Sequence, residues 1–277
     1  MKILNKKTIF NIAIMLLAYV LVFVLINSGI LSRQYKSLIV PICVNIMLAV
    51  SLNLVTGFLG ELSLGHAGFM SIGAYTAALL TKSGLLSGYP GYVVALIIGG
   101  LVAGIIGFII GIPALRLTGD YLAIITLAFG EIIKYIVQNL DFLGGATGLN
   151  NIPRIIDFSN SYFIVVISII IIAMAMTSRK GKEILSIREN EIAAENIGIG
   201  LNRVKLYGFA FSAFFAGVGG SLFAHNVGIL KPDKFGFLFS IEILVMVVLG
   251  GLGSITGAIL SAILLTSLNE VLRDVSQ

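Results

Sequence analysis

GYVVALIIGGLVAGIIGFIIGIPAL, at residues 91–115, is an apolar run that contains no charged side chain. A helix needs roughly 20 consecutive apolar residues to cross the hydrocarbon core of a bilayer, and this run is long enough to do so. Other apolar segments of similar character lie at residues 9–31, 37–56, 62–81, 121–140, 161–177, 205–226 and 239–266. The sequence therefore predicts an all-α integral membrane protein, a polytopic bundle of about eight transmembrane helices.

The amino-acid composition is that of a protein embedded in lipid. The 277 residues are 58% hydrophobic and 11% charged, with a mean hydropathy of +1.06, which is too apolar for the polar surface of a soluble domain. The length leaves room for short loops and no sizeable soluble domain, so residues 1–277 are predicted to form a single transmembrane domain. The net charge of +5 arises mainly at helix ends and in one long loop. Membrane topology explains this charge better than nucleic-acid binding does.

The basic residues also orient the predicted helices. Lys and Arg that flank the spans should be in excess on the cytoplasmic side. With the N-terminus inside, the excess falls on that side, so both the N- and C-termini are expected in the cytoplasm. Residues 9–31 are longer than a signal-peptide core and lack a small-residue cleavage site, so they are expected to be a retained first helix.

Cysteine and histidine content argues against several kinds of site. Cys43 is the only cysteine, so neither a disulfide framework nor a Cys-based metal site is expected. His66 and His225 cannot form a metal site unaided, and no metal site is predicted. Ser221 and His225 are four residues apart, but no third group or oxyanion donor accompanies them. Intramembrane serine-protease chemistry is therefore disfavoured.

Two of the four glycine clusters predict interrupted helices. The clusters at 99–111 and 217–220 are typical of tight helix packing. GFLGELSLGHAG (57–68) and GGLGSITG (250–257) are irregular and carry polar residues, which predicts broken, Gly-rich helices that line a cavity. In the first cluster, Gly65, His66 and Gly68 are candidate residues of a translocation path, although a lone histidine is more often a packing residue.

Ionisable residues inside a span are candidates for function. Glu131 and Lys134 are three residues apart in the fifth span, so they can form an ion pair on one helix face. The pair is either a structural pair near a helix end or part of a translocation path, where both charge signs suit a zwitterionic solute. Glu242 begins the eighth segment and is expected to be solvated at the interface.

The segment TSRKGKEILSIRENEIAAENIGIGLNRVK follows the sixth span and is expected to be folded. Ser186 and Glu189 fit a capping box, and Gly198 with Gly200 supplies a stop, so a short helix is predicted from about residue 187 to 197. Ile187, Ala194 and Ile197 are expected on one face. The helix either lies on lipid or docks in a groove of another protein. Its mixed charges favour docking, because lipid-surface helices are usually rich in Lys and Arg.

Four ordered stretches carry a resemblance to a known family. SIRENEIAAENIGI (186–199) resembles the cytoplasmic coupling segment of ABC permeases for branched-chain amino acids, in which paired alanines and a following glycine mark the helix that meets the ATPase. Similar family stretches are SLNLVTGFLGELSLGHAGFMSIGAYTAALL (51–80), GDYLAIITLAFGEII (119–133) and SIEILVMVVLGGLGSITGAIL (240–260). The resemblance covers most of residues 45–262 and indicates the LivM-like subunit of the permease pair.

The resemblance implies the ABC importer permease fold and an assembly of subunits in the bacterial cytoplasmic membrane. The implied partners are a second permease, two ABC ATPases and an extracytoplasmic solute-binding protein. The implied coupling segment is 178–204, with ATPase contacts expected at Arg188, Glu189, Asn190, Glu191, Ala193, Ala194 and Gly198.

Nucleotide chemistry is expected to reside in another chain. GKE at 181–183 lacks the upstream glycine and the hydroxyl of a phosphate-binding loop, so this chain is expected to be no enzyme and to hold no cofactor. ATP and Mg²⁺ would be bound by the ATPases. Two alternatives stay open: a permease of the same family for nucleosides or other small solutes, and an ion-coupled secondary transporter. For the latter, Glu131 and Glu242 are the candidate carboxylates, and the coupling-like loop would have no explanation.

Overall fold

The structure is a computed structural model that describes residues 17, 19–26, 28, 33–84 and 88–275. Within these ranges the regular elements are helices, and the only β pairing is an isolated bridge between Leu149 and Leu230. The helices are α1 (Arg33–Asn53), α2 (His66–Lys82), α3 (Gly88–Ala114), α4 (Asp120–Asn139), α5 (Phe158–Thr177), α6 (Arg179–Glu189), α7 (Glu191–Asn196), α8 (Leu201–Val227), α9 (Phe237–Gly250) and α10 (Ile255–Val275). Residues 19–26 are helical as well. The all-α prediction is confirmed.

Several helices are long and apolar enough to cross a membrane. In the described part of the chain these are Tyr35–Leu59, Gly88–Ala114, Phe158–Thr177, Leu201–Val227 and Ile255–Leu272, and α9 is a shorter apolar helix. The predicted polytopic membrane fold is confirmed. The predicted first span at 9–31 lies largely outside the described residues.

The first Gly-rich break is present as predicted. After Asn53, α1 widens into a π-helical turn (Leu54–Leu59), and the chain leaves the helix at Gly60 with φ of +81°. Residues 61–65 have no regular structure, and α2 begins at His66. Only glycine adopts such a left-handed conformation without steric cost, which explains why the helix ends at Gly60.

The segment 239–266 was counted as one crossing, and that count is wrong, whereas the break predicted within 250–257 is present. The helix stops at Gly250, turns through residues 251–254 and resumes at Ile255, because Gly251 (φ +89°) and Gly253 (φ +83°) are both left-handed. α9 and α10 then pack antiparallel. Ser261 Oγ donates to Met246 O, and a Cβ on Gly257 would overlap Gly250 O.

Small residues also bring α2, α3 and α8 into close contact, as predicted for the clusters at 99–111 and 217–220. A Cβ on Gly73 would overlap the backbone of Gly217, and one on Gly99 would lie 2.7 Å from Ser221 Oγ. Such close backbone approach is the usual basis of helix association in lipid, where the hydrophobic effect does not act between helices. These three helices form the core that carries the functional elements.

The predicted helix at 187–197 is replaced by two helices, α6 and the shorter α7, which are separated by Asn190. α6 begins earlier, with Ser178 as the N-cap that accepts from Gly181 N, and α7 has Asn190 as its N-cap, accepting from Ala193 N at 3.0 Å. Ser186 lies inside α6, where its hydroxyl donates to Glu183 O. Ser and Asn are both strong N-caps, and these two define the helix starts in place of the Ser186 capping box.

The two ends of the bundle can be distinguished by cross-helix contacts. α1 and α10 run antiparallel, since Asn45 bonds Thr266 Oγ1 at 2.8 Å and Gly253 N bonds Asn53 Oδ1 at 2.9 Å. The turn at 251–254 therefore lies at the end of the bundle that carries α6 and α7, called here the α6–α7 end. The last residues of α10 lie at the opposite end.

Candidate functional site

Arg188 joins the α6–α7 segment to the helix breaks. It lies in the last turn of α6, and its Nη1 donates to Gly57 O, inside the π-turn of α1, at 2.9 Å. A Cβ on Gly60 would lie 2.9 Å from Arg188 Cγ, and one on Gly253 would lie 2.8 Å from Arg188 Nη1. One guanidinium group therefore contacts both breaks, while its Nη2 pairs with Glu189 at 2.9 Å.

The two breaks also meet each other directly. A Cβ on Gly57 would overlap Gly253 N, so this approach requires glycine. Next to the contact, Asn53 Nδ2 and Thr56 Oγ1 are buried without a hydrogen-bond partner. Buried polar groups in proteins are rarely left unpaired. The two Gly-rich clusters that sequence patterns singled out thus form one structure at the α6–α7 end.

A buried charge cluster, which the sequence analysis did not identify, ties α7 to the first break. Lys205 Nζ lies 2.5 Å from Glu61 Oε1 and 2.5 Å from Glu191 Oε1. The side chains of Lys205 and Glu61 are 3% and 8% exposed, whereas that of Glu191 is 45% exposed. Glu61 is the only charged residue between Lys36 and Lys82, and this isolation is the signal that could have revealed it, because a buried charge needs a partner.

The predicted coupling residues divide into an inward and an outward group. Arg188, Glu191 and Ala194 contact or pack against the bundle, and Asn190 caps α7. The outward group comprises Glu189, Ala193 and Gly198. Gly198 has φ of +86°, and a Cβ there would meet open space.

Two exposed isoleucines distinguish the outward surface of α7. Ile192 and Ile197 are 74% and 75% exposed. The predicted apolar face of Ile187, Ala194 and Ile197 is wrong at Ile197, because the chain turns at 197–198 and carries that side chain outward, while Ile187 and Ala194 are buried.

Glu131 and Lys134 form the predicted ion pair at the end opposite to α6–α7. Lys134 Nζ donates to Glu131 Oε2 at 2.8 Å, and Glu131 Oε1 accepts from Phe237 N, at the start of α9, at 2.7 Å. The pair therefore anchors α9. Both side chains line a cavity of about 410 Å³ that also contains Asp233, Lys234, Phe239 and Glu242.

Gly65, His66 and Gly68 lie at packed helix contacts and do not line that cavity. His66 Nε2 is 2.7 Å from Ser51 Oγ in the interior. A Cβ on Gly65 would overlap Thr126 O, and one on Gly68 would lie 2.9 Å from Gly130 Cα. Gly68 is thereby brought next to α4, one residue from Glu131.

Hydroxyl groups from other helices accept hydrogen bonds from backbone N–H groups at the buried start of α2. Thr126 Oγ1 accepts from Leu64 N at 3.0 Å, and Ser240 Oγ accepts from Ala67 N at 3.2 Å. Since the N-cap position is Gly65, which has no side chain, this helix start depends on α4 and α9.

The geometry at Ser221 and His225 does not fit a nucleophile and its base. Ser221 Oγ donates to the backbone at Gly217 and Gly73, while His225 Nδ1 bonds Ser221 O and its Nε2 lies 2.9 Å from Thr81 Oγ1. Both side chains are packing residues of the core. In the part of the chain that the structure describes, no group of three or more His, Cys, Asp or Glu could hold a metal ion.

Comparisons with known proteins agree with this architecture. Residues 34–277 match the family described as the permease component of branched-chain amino acid transport systems. The high-affinity branched-chain amino acid transport permease LivM of Escherichia coli K12 is 36% identical over 98% of this chain and 70% of its own length. A probable LivM of Methanocaldococcus jannaschii is 26% identical over 61% of this chain and 53% of its own length.

More distant similarity extends to a different import system. The autoinducer 2 import permease LsrC of Yersinia pseudotuberculosis is 26% identical over 73% of this chain and 61% of its own length. No solved structure matches the chain.

Proposed function

This chain belongs to the family of permease components of branched-chain amino acid transport systems, and from this premise we propose that it is the membrane-spanning subunit of an ATP-driven importer of branched-chain, hydrophobic amino acids. It is a transport subunit, and the ATPase activity is assigned to partner chains that bind ATP and Mg²⁺. The proposed assembly contains a second permease subunit, two ABC ATPases and an extracytoplasmic solute-binding protein.

The observation that carries this proposal is the construction of the α6–α7 segment. Its outward surface exposes Ile192 and Ile197, which suits insertion into a groove of a partner protein. Its inward surface holds both helix breaks through Arg188 and Glu191. A partner that moves this segment would therefore move the irregular backbone inside the membrane, as alternating access requires.

We place the α6–α7 end on the cytoplasmic side of the bacterial cytoplasmic membrane. The start of α1 and the end of α10 then face outward, because both lie at the opposite end of the bundle. This orientation differs from the cytoplasmic C-terminal side that eight single crossings predicted, since the turn at 251–254 reverses the last segment. The N-terminus lies outside the described residues.

The ion pair of Glu131 and Lys134 is proposed to lie at the outer mouth of the path. Its cavity offers both charge signs together with Phe237 and Phe239, a combination that suits a zwitterion with an apolar side chain. We favour branched-chain amino acids as the substrate over nucleosides or other small solutes. The reason is that the sequence identity of this chain to the LivM protein of Escherichia coli exceeds its identity to the autoinducer 2 permease.

Docking is tested by replacing Ile192 and Ile197 together with Asp in the complete complex. Burial of each isoleucine in a partner would contribute on the order of 2 kcal/mol, and tenfold in affinity corresponds to about 1.4 kcal/mol. We expect the ATPase subunits to stop co-purifying and ATP-dependent leucine uptake into vesicles to fall by roughly tenfold or more.

The matched control is Ile192→Leu, which keeps the apolar contact and should retain both properties. Excess isoleucine or valine should compete with labelled leucine, whereas nucleosides should not. Undiminished uptake and co-purification in the double Asp variant would contradict the proposal, and uptake without nucleotide would favour an ion-coupled secondary transporter.

A further inference from the structure

Three charged side chains from separate elements meet at a buried junction. Glu61 lies in the loop 60–65 between α1 and α2, Glu191 is the first residue of α7, and Lys205 lies in the second turn of α8. The Lys205 ammonium group is 2.5 Å from one carboxylate oxygen of each partner. We call these three residues the Lys205 junction.

The burial of the junction makes its two ion pairs unequal. Lys205 and Glu61 are almost fully removed from water, while nearly half of the Glu191 side chain is exposed. Because a buried charge that loses its partner is strongly unfavourable, Lys205 and Glu61 hold each other in place. Glu191 can exchange Lys205 for water at a lower cost, since its carboxylate is already partly solvated. The junction thus combines a fixed pair with one releasable contact.

A short stretch of chain connects the Lys205–Glu61 pair to the start of α2. The loop that carries Glu61 continues through Leu64, whose N–H is held by Thr126, to His66 at the first turn of α2. Any displacement of Glu61 must therefore pass to the start of that helix. Arg188 holds the chain separately, upstream of the loop, at Gly57 O.

We propose that Lys205 is a positioning residue for transport, which relays movement of α7 to the loop 60–65. When Glu191 keeps its contact, Lys205 holds Glu61 and the loop is closed against α8. When α7 is displaced, Glu191 exchanges Lys205 for water, and Lys205 then pairs with Glu61 alone, so the loop and the start of α2 are held more firmly against α8. This relay rests on the proposed function only in taking α7 as the segment that the ATPases move.

Thiol labelling of the loop tests the relay directly. Replacing Cys43 with Ala removes the only native thiol, and Ser63→Cys then places a single thiol in the loop at a position that is 2% exposed. The labelling rate with N-ethylmaleimide, measured on the assembled complex in vesicles, reports local opening of the loop. We expect Lys205→Gln to raise that rate on the order of tenfold, because opening no longer breaks the buried pair.

Two matched variants separate a relay from general damage. Lys205→Arg keeps the charge and should label close to the rate of the parent. Lys180→Gln removes a cation from a 2.7 Å ion pair whose lysine is 73% exposed and which lies on the outer face of α6, so the labelling rate should not change. The double variant Glu61→Gln with Lys205→Gln should label no faster than Lys205→Gln alone, because both changes remove the same pair.

The labelling experiment tests the relay whatever substrate the transporter carries. If Lys205→Gln fails to fold, Glu61→Gln provides the test, since it leaves Lys205 paired with Glu191. An unchanged labelling rate in the folded variant would overturn the relay, as would additive effects in the double variant. Neither result bears on docking at Ile192 and Ile197, so failure of the relay is distinguishable from failure of the proposed function.

Discussion

The contact between the two helix breaks makes Gly57→Ala an informative substitution. A Cβ at this position would overlap Asn53 Oδ1 and Gly253 N and would lie 2.9 Å from Asn53 Cγ. To admit the methyl group, the Asn53 side chain must rotate, which breaks its hydrogen bond to Gly253 N, and the turn at 251–254 must move away from α1.

The expected change in the stability of Gly57→Ala is the sum of unfavourable and favourable contributions. Overpacking costs about 1–3 kcal/mol, and the lost hydrogen bond costs about 1 kcal/mol. Alanine offsets this by up to about 1 kcal/mol, through its better helix propensity and the smaller entropy of the unfolded chain. The steric cost prevails, and we expect a net loss of about 1–3 kcal/mol in stability.

This loss is measurable by thermal unfolding in detergent, followed by circular dichroism. For a chain of this size, each kcal/mol corresponds to a Tm change of about 2–4 °C, so the Tm should fall by roughly 2–12 °C. Uptake by the complex should fall as well, because Arg188 would lose its alignment with Gly57 O.

Gly200→Ala is the control for this substitution, since a Cβ there would meet nothing within 4 Å. Gly200 is the N-cap of α8, where alanine is less favourable than glycine, so that variant should lose no more than about 1 kcal/mol and should keep full uptake. A Gly57→Ala protein with an unaltered Tm and full uptake would refute the view that the two breaks must touch.

Two further predictions concern the helix starts. Thr126→Val leaves the half-buried N–H of Leu64 without its acceptor and should reduce stability by about 1–3 kcal/mol. Thr126→Ser keeps the hydroxyl and should melt near the parent. Equal melting temperatures of the two variants would contradict the role of that hydroxyl. Glu131→Ala removes the acceptor of Phe237 N and the partner of Lys134, so leucine uptake should fall several-fold. Glu131→Gln retains an acceptor oxygen, and its uptake should be intermediate. Full uptake in Glu131→Ala would exclude a need for this anchor.

Much of the fold could be predicted because lipid imposes long apolar runs on every crossing. The break at 57–68 was also recognisable, since a charged residue and several glycines interrupt an apolar segment there. The cluster at 250–257 predicted a break as well, but its glycine, leucine and serine residues leave the hydropathy of 239–266 high, so the segment was counted as one crossing. The positive φ angles of Gly251 and Gly253 show that the chain reverses its direction there.

The candidate site was predicted only where it depends on local sequence. The pairing of Glu131 with Lys134 follows from a spacing of three residues on one helix. The contact between Glu61 and Lys205 joins residues that are 144 positions apart, and no periodic pattern encodes such a distance. In the α6–α7 segment a plausible cap at Ser186 competed with Ser178 and Asn190, and sequence preference alone does not rank three residues that all favour N-cap positions.

The π-turn at the end of α1 gives this permease a way to change helical winding without unfolding. A π-turn spans more residues than an α-turn, and π-turns recur at functional sites. Conversion of residues 54–59 to α-helical geometry would rotate the chain beyond them by about 100° for each residue taken up. Glu61 would swing around the helix axis as a consequence, so the carboxylate could leave its lysine while the backbone hydrogen bonds of α1 before Leu54 stay intact.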